Sequence, residues 1–266
     1  MIRGFRKRPP AEALPAQEIL SRVRRASGLF EHLDAEDWAH LVDLAAELLA
    51  AKRVVGAAGF APDDFVRWSV ALQACLPVLR FGIGAYRGFV DIIVYPDLFL
   101  VERQATDEAG VVHEWREALA GEAMHGGPVV LSWPDVAEPG GPGFSVVIHE
   151  FLHKLDMLAG EADGVPPMPS ARRAHWLRAL DEAYEGFVDD IEAVERQIPI
   201  DIDPESGQAA SYWNTLALDP YAGTDHAEFF AVAGEAFFAA PGRVKGRFPA
   251  LYEAFRTYFG QDPNGS

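Results

Sequence analysis

The sequence predicts an α+β protein with a small sheet set against helices. Three observations predict it. Apolar residues recur at helical spacing through the first part of the chain. Short β-branched and aromatic runs, bounded by turn residues, fill the middle. A His-Glu-x-x-His pattern, which makes chemical sense only on a helix, opens a last part rich in helical patterns.

The elements follow in order. Residues 17–27 carry Ile19, Leu20 and Val23, and residues 35–52 place Trp38, Leu41, Val42, Leu44, Ala45, Leu48 and Leu49 at helical spacing. Pro62 or Asp63 opens a third helix, and Pro77 interferes with it just after Leu76. The character then changes. Ile92-Ile93-Val94-Tyr95 and Leu98-Phe99-Leu100-Val101 read as strands around Pro96-Asp97, and Asp107-Glu108-Ala109-Gly110 reads as a turn. Residues 111–118 read as a further strand, and residues 126–133 end the sheet region. Gly141-Pro142-Gly143 is a breaker ahead of the motif helix, which Ala159-Gly160 stops. A long helix over 170–194, a polar loop over 201–208 and helices over 227–239 and 249–259 complete the chain. The organisation expected is a flexible basic and Pro-rich tail at 1–15, a helical N-terminal part at 16–80 and a body at 81–266 that carries the chemistry. The last two are expected to form one compact unit.

The balance of residue types narrows the function. A chain of 266 residues, 49% hydrophobic, can bury a sizeable core. A net charge of −17 disfavours a general nucleic-acid surface. No run of eighteen apolar residues spans a membrane, and no segment of signal-peptide length follows the basic start, so a cytoplasmic protein is expected. The single cysteine, Cys75, excludes an intramolecular disulfide and sits in an apolar run that reads as core.

The chemistry is in His149-Glu150-Phe151-Leu152-His153. Helical residues four apart share a face, with about 5–6 Å between Cβ atoms. Two imidazoles so placed can bind one Zn²⁺, and the glutamate between them can act as general base on a metal-activated water. Zinc used in catalysis needs a third protein ligand and one open position. The extension that supplies a histidine six residues on is excluded, because Ala159 stands there and Asp156 stands where its glycine would be. A carboxylate from a later helix is the other common solution. Residues 227–238 are apolar apart from Glu228 and Glu235, seven apart and on one face. Charge in so apolar a helix is costly unless paired or metal-bound, so both are candidates. Asp156, on the ligand face, suits a hydrogen bond to a metal-bound histidine or to a neighbouring loop. Glu161 and Asp163 read as loop-solvating. His32, His40, His113, His125, His175 and His226 stand at spacings that make no second metal site, and His125, near the 129–133 run, keeps contact with a substrate groove open as an alternative.

The blocks His149–Asp156, Tyr221-Ala-Gly-Thr-Asp-His-Ala-Glu228 and Gly127-Pro128-Val129-Val130-Leu131-Ser132-Trp133 resemble the Mlc titration factor A (MtfA) family of bacterial zinc metallopeptidases. The first two blocks are also similar to the catalytic domain of anthrax lethal factor. The resemblance runs from about residue 30 to 259. It implies a zincin-like metallopeptidase, with a small sheet packed on the H-E-x-x-H helix and a helical N-terminal part. It implies one Zn²⁺ held by His149, His153 and Glu228, with Glu150 as general base and Tyr221 supporting the transition state. Glu235 is then a secondary candidate. The implied activity is aminopeptidase-like cleavage of short peptides, with regulatory binding of an Mlc-like glucose repressor. The alternative is a non-enzymatic protein that sequesters such a repressor. No membrane or direct nucleic-acid partner is expected. An extended peptide can be held by adding to a sheet edge, for which residues 129–133 are the candidate unless they form an interior strand. Tyr212, Trp213, Tyr221 and Trp133 are the candidate apolar subsites.

Overall fold

The computed structural model describes residues 17–106, 112–119, 121–123, 126–137, 144–204 and 206–265. The tail at 1–15, the turn at 107–110, the breaker at 141–143 and His125 lie outside the described residues. The fold is α+β, and the chain divides into two compact units, Met1–Pro139 and Gly140–Ser266.

The first unit begins with α1 (Gln17–Ala26) and α2 (Ala35–Ala51) and continues through β1 (Arg53–Gly56) to α3 (Asp64–Cys75). Asp34 and Asp63 cap α2 and α3. Their carboxylates accept from the backbone N–H of Asp37 and Val66 at 2.8 and 2.9 Å, satisfying donors that a helix start leaves bare. Then come β2 (Asp91–Tyr95), β3 (Phe99–Thr106), β4 (Val112–Leu119), β5 (Gly121–Ala123), β6 (Val129–Ser132) and α4 (Trp133–Ala137). The four-stranded sheet has the order β1-β2-β6-β5. β1, β2 and β6 run parallel, β5 is antiparallel to β6, and β3 and β4 form a separate hairpin. The boundary expected near residue 80 falls inside this unit, where α3 is the crossover between the parallel strands β1 and β2.

Residues 129–132 are not a free edge. β6 lies between β2 and β5, and all four of its residues are buried. The run Val-Val-Leu-Ser has no apolar–polar alternation because both faces are covered. Trp133 begins α4 and packs on Phe65 and Phe60, with ring centroids 5.8 and 6.4 Å away. Cys75 is fully buried, and burial pushes its thiol well above the usual range, as suits a core residue.

The second unit contains α5 (Val146–Asp156), α6 (Ser170–Glu195), α7 (Ala210–Trp213), α8 (His226–Ala239), α9 (Pro241–Arg247) and α10 (Pro249–Phe259). Its centre is α8, in which every residue from Phe229 to Phe238 is buried. Phe229 meets Phe187 and Phe248, while Phe237 meets Tyr252, Phe255 and Phe259. Each such side chain taken out of water contributes about 1.5–3 kcal/mol. α8 lies against α5 through Gly234, where an added Cβ would come 2.6 Å from the Leu152 Cδ1. No helix among the described residues is long and apolar enough to cross a membrane.

One turn fastens the ends of three helices. Gly164 has φ of 78°. Its N–H donates to Asp156 Oδ2 at the end of α5 (2.7 Å), and its carbonyl accepts from the Trp176 indole of α6 (2.9 Å). A Cβ there would stand 2.6 Å from the carbonyl oxygen of His226, where α8 starts. Gly164→Ala is expected to cost at least about 1–3 kcal/mol, from the positive φ alone. Urea unfolding should show a lower midpoint with an unchanged slope. An unchanged midpoint would mean that the turn relaxes freely.

Candidate active site

Each predicted site residue has a definite place. His149, Glu150 and His153 lie on α5, whose N-cap Ser145 accepts the Ile148 N–H on its hydroxyl at 3.3 Å. Glu228 lies in the first turn of α8, where Asp225 accepts the backbone N–H of both Ala227 and Glu228 at 2.8 and 2.9 Å. Tyr221 is on the short turn Pro220–Gly223, where its N–H donates to Asp219 Oδ1 at 2.9 Å.

Three of these side chains converge. The Nε2 atoms of His149 and His153 are 3.2 Å apart, and Glu228 Oε2 is 3.3 Å from the first and 3.2 Å from the second. They are the one such metal-capable group among the described residues. The triangle fits zinc. Nitrogen and oxygen ligands at about 2.0–2.2 Å in tetrahedral array stand about 3.3–3.5 Å from one another. Two imidazoles and one carboxylate are also the donor set of a site that keeps a position open.

The charge distribution favours a cation at the same point. Burial works to keep His149 neutral, but bonds to Glu228 and Glu235 and the field of Glu150 outweigh it and push its pKa up to about 10. Burial works to raise Glu228, but the two imidazoles bring it far below the usual carboxylate range. Glu150 is buried, with 5% of its surface exposed, and Tyr221 is half exposed with its ring centroid 6.5 Å from that of His149.

Glu235 and Asp156 take different parts. Glu235 is 2% exposed and faces the far side of the His149 ring, with Oε2 3.4 Å from Nδ1. Its other oxygen accepts the backbone N–H of Ser145. It therefore ties the start of α5 to the middle of α8 and sets the ring plane of His149. Asp156 makes the loop bond to Gly164, and burial, opposed by that bond, pushes its carboxyl up to about 6. Asp163 caps its own loop through the Val165 N–H. His226 stands outside the cluster, 3.4 Å from Asp181 and over the ring of Tyr184.

A groove of about 830 Å³ opens beside His149. Its walls include Phe144, Trp213, Tyr221 and Val232, and Arg243 of α9. Two of the expected apolar subsites, Trp213 and Tyr221, are therefore on it. Tyr212 is not among its lining residues, and Trp133 packs within the other unit. Phe144 and Arg243 carry no motif or periodicity that marks them as groove residues. Only the tertiary path of the 204–221 segment brings them together with Trp213.

Comparison with known proteins gives the family of the chain. Residues 3–260 match the family described as glucose-regulated metallo-peptidase M90. A protein called Mlc titration factor A from Salmonella gallinarum is 37% identical over 238 residues, covering 89% of this chain and 83% of its own length. The proteins of that name from Escherichia fergusonii and Salmonella paratyphi B are also 37% identical, over 88% and 89% of this chain and 83% of theirs. With its H-E-x-x-H helix intact and the match spanning nearly all its length, the chain belongs to the M90 family of metallopeptidases, together with the proteins called Mlc titration factor A.

Proposed function

We propose that this protein is a zinc-dependent peptidase of the cytoplasm that cleaves short peptides, in an aminopeptidase-like manner, with a metal-activated water. The observation that carries the reading is the triangle of His149, His153 and Glu228 donor atoms, 3.2–3.3 Å on a side. Those three residues would hold the ion. Bound there, zinc supplies a Lewis acid that polarises a carbonyl and brings the pKa of water towards neutrality.

The remaining steps belong to the chain's own groups. Glu150 takes the proton from the attacking water and passes it to the leaving amine. It stands beside His149 on α5 and is buried, which suits a group that acts on a single held water. The Tyr221 hydroxyl, at the rim of the groove, donates a hydrogen bond to the oxygen that gains charge as the carbonyl becomes tetrahedral. One such donor is worth about 3–4 kcal/mol. Glu235 keeps Nδ1 of His149 engaged, so that Nε2 is the nitrogen presented to the ion. Trp213, Tyr221 and Phe144 give the groove walls on which apolar side chains of a peptide can pack.

The relatives' name favours a second activity, binding of an Mlc-like transcriptional repressor. That binding needs no general base, whereas Glu150 is present and buried between the two histidines. Metal analysis and a peptide library separate the two. The protein is expected to carry one zinc per chain and to cleave short peptides with free amino termini faster than their acetylated forms. A zinc-loaded protein that cleaves no member of the library would leave repressor capture, measured by calorimetry with an Mlc-like protein, as the function.

A further inference from the structure

The groove beside His149 is apolar along most of its wall, and the whole chain carries a net charge of −17. Arg243 is the one lysine or arginine on its lining. Its surroundings differ from those of its neighbour on α9. Arg247, one turn further along α9, is held by Asp190 at 2.7 and 3.0 Å and by the Gly186 carbonyl at 2.9 Å. Arg53, Arg80 and Arg256 are each paired with a carboxylate. Among the described residues, the Arg243 guanidinium has no ion pair and no hydrogen bond, which is true also of Arg25, Arg173 and Arg178, but of these four it alone lines the groove. It also borders an adjoining depression of about 590 Å³, so the groove continues past it.

We propose that Arg243 is the recognition point for a carboxylate of the substrate. This rests on the peptidase reading and narrows its substrate class to short peptides that carry a free carboxylate downstream of the reacting carbonyl. The groove follows α8 from Val232 to Ala240, just before α9. That stretch rises about 12 Å, the length of three or four residues of an extended peptide. A guanidinium presents two parallel N–H groups to a carboxylate, and on this wall Arg243 is the one lysine or arginine that can offer them to an anionic ligand. Two sources of that carboxylate share the same chemistry, the C-terminus of a short peptide and an aspartate or glutamate side chain.

Equilibrium binding separates them without relying on turnover. The probe is a tetrapeptide with an apolar first half, prepared with a free or an amidated C-terminus, and with Glu or Gln at its third position. Binding to zinc-loaded Glu150→Gln protein is read by calorimetry. The free carboxylate is expected to improve affinity about 5- to 20-fold, less at high salt, with the preference lost in Arg243→Gln and partly kept in Arg243→Lys. Preference abolished by amidation identifies the terminus, and preference abolished by Glu to Gln in the peptide identifies the side chain. Equal binding of all four peptides, no binding of any, or a preference that survives Arg243→Gln would overturn the assignment. Hydrolysis by the wild-type protein tests the peptidase reading separately.

Discussion

Replacing Glu150 by glutamine is expected to lower kcat/KM by about 10²–10⁴-fold while metal content stays at one per chain. Glutamine keeps the size of the side chain in a position only 5% exposed, so α5 should keep its packing. It loses the basic oxygen that accepts a proton. Glu150 acts on His149 through its field, whereas Glu228 and Glu235 bond to the ring directly, so the site should lose little of its hold on a cation. Activity and zinc stoichiometry measured on the same preparation check both halves. Tyr221→Phe belongs in the same assay, with an expected loss of about 10²–10³-fold in kcat and a smaller change in KM. A Glu150→Gln protein that retained more than a tenth of wild-type activity would move proton transfer to another group.

The second large effect concerns two glutamates seven residues apart on one helix. Glu228→Ala removes one vertex of the donor triangle and should reduce zinc affinity by more than the roughly 10–100-fold typical of an outer partner. Glu235→Gln removes the charge behind His149 while keeping an acceptor for the Ser145 N–H, and should fall within that roughly 10–100-fold range. Chelator competition reads both. The Glu228 variant should still fold, because Asp225 caps α8 through backbone N–H groups that do not depend on the Glu228 side chain. Zinc held normally by Glu228→Ala but lost from Glu235→Gln would reverse the two assignments.

Much of this arrangement was legible in the chain itself, for reasons that differ by element. The motif helix and α8 carry long apolar patterns, and two acidic residues in an otherwise apolar helix stand out as either paired or solvent-facing. Which of them joins His149 and His153 comes from the family resemblance and not from the cost of burying charge. β1 and β5, four and three residues long, are too short for any periodicity to register. α9 has no counterpart among the expected helices; its Pro241 stands at the first helical position, where a missing N–H costs nothing. The 129–133 run gave a strand but not its neighbours. Of its two readings, edge or interior, the interior one holds, and the run alone cannot decide because pairing on both sides depends on β2 and β5. The groove was the least legible part. Its wall comes from short turns between α6 and α8, and no local rule says which side of such a segment faces a ligand.

The donor triangle spans two helices whose contributing residues, His153 and Glu228, are 75 positions apart in the chain. An unfolded chain cannot hold all three donors together, so whatever ion they take binds the native form far more tightly. At a hundred times its dissociation constant such an ion adds about 2.7 kcal/mol to the native state. The abundance of this protein in a cell would then track the supply of the free metal, with starvation exposing it to proteases before any change in its synthesis.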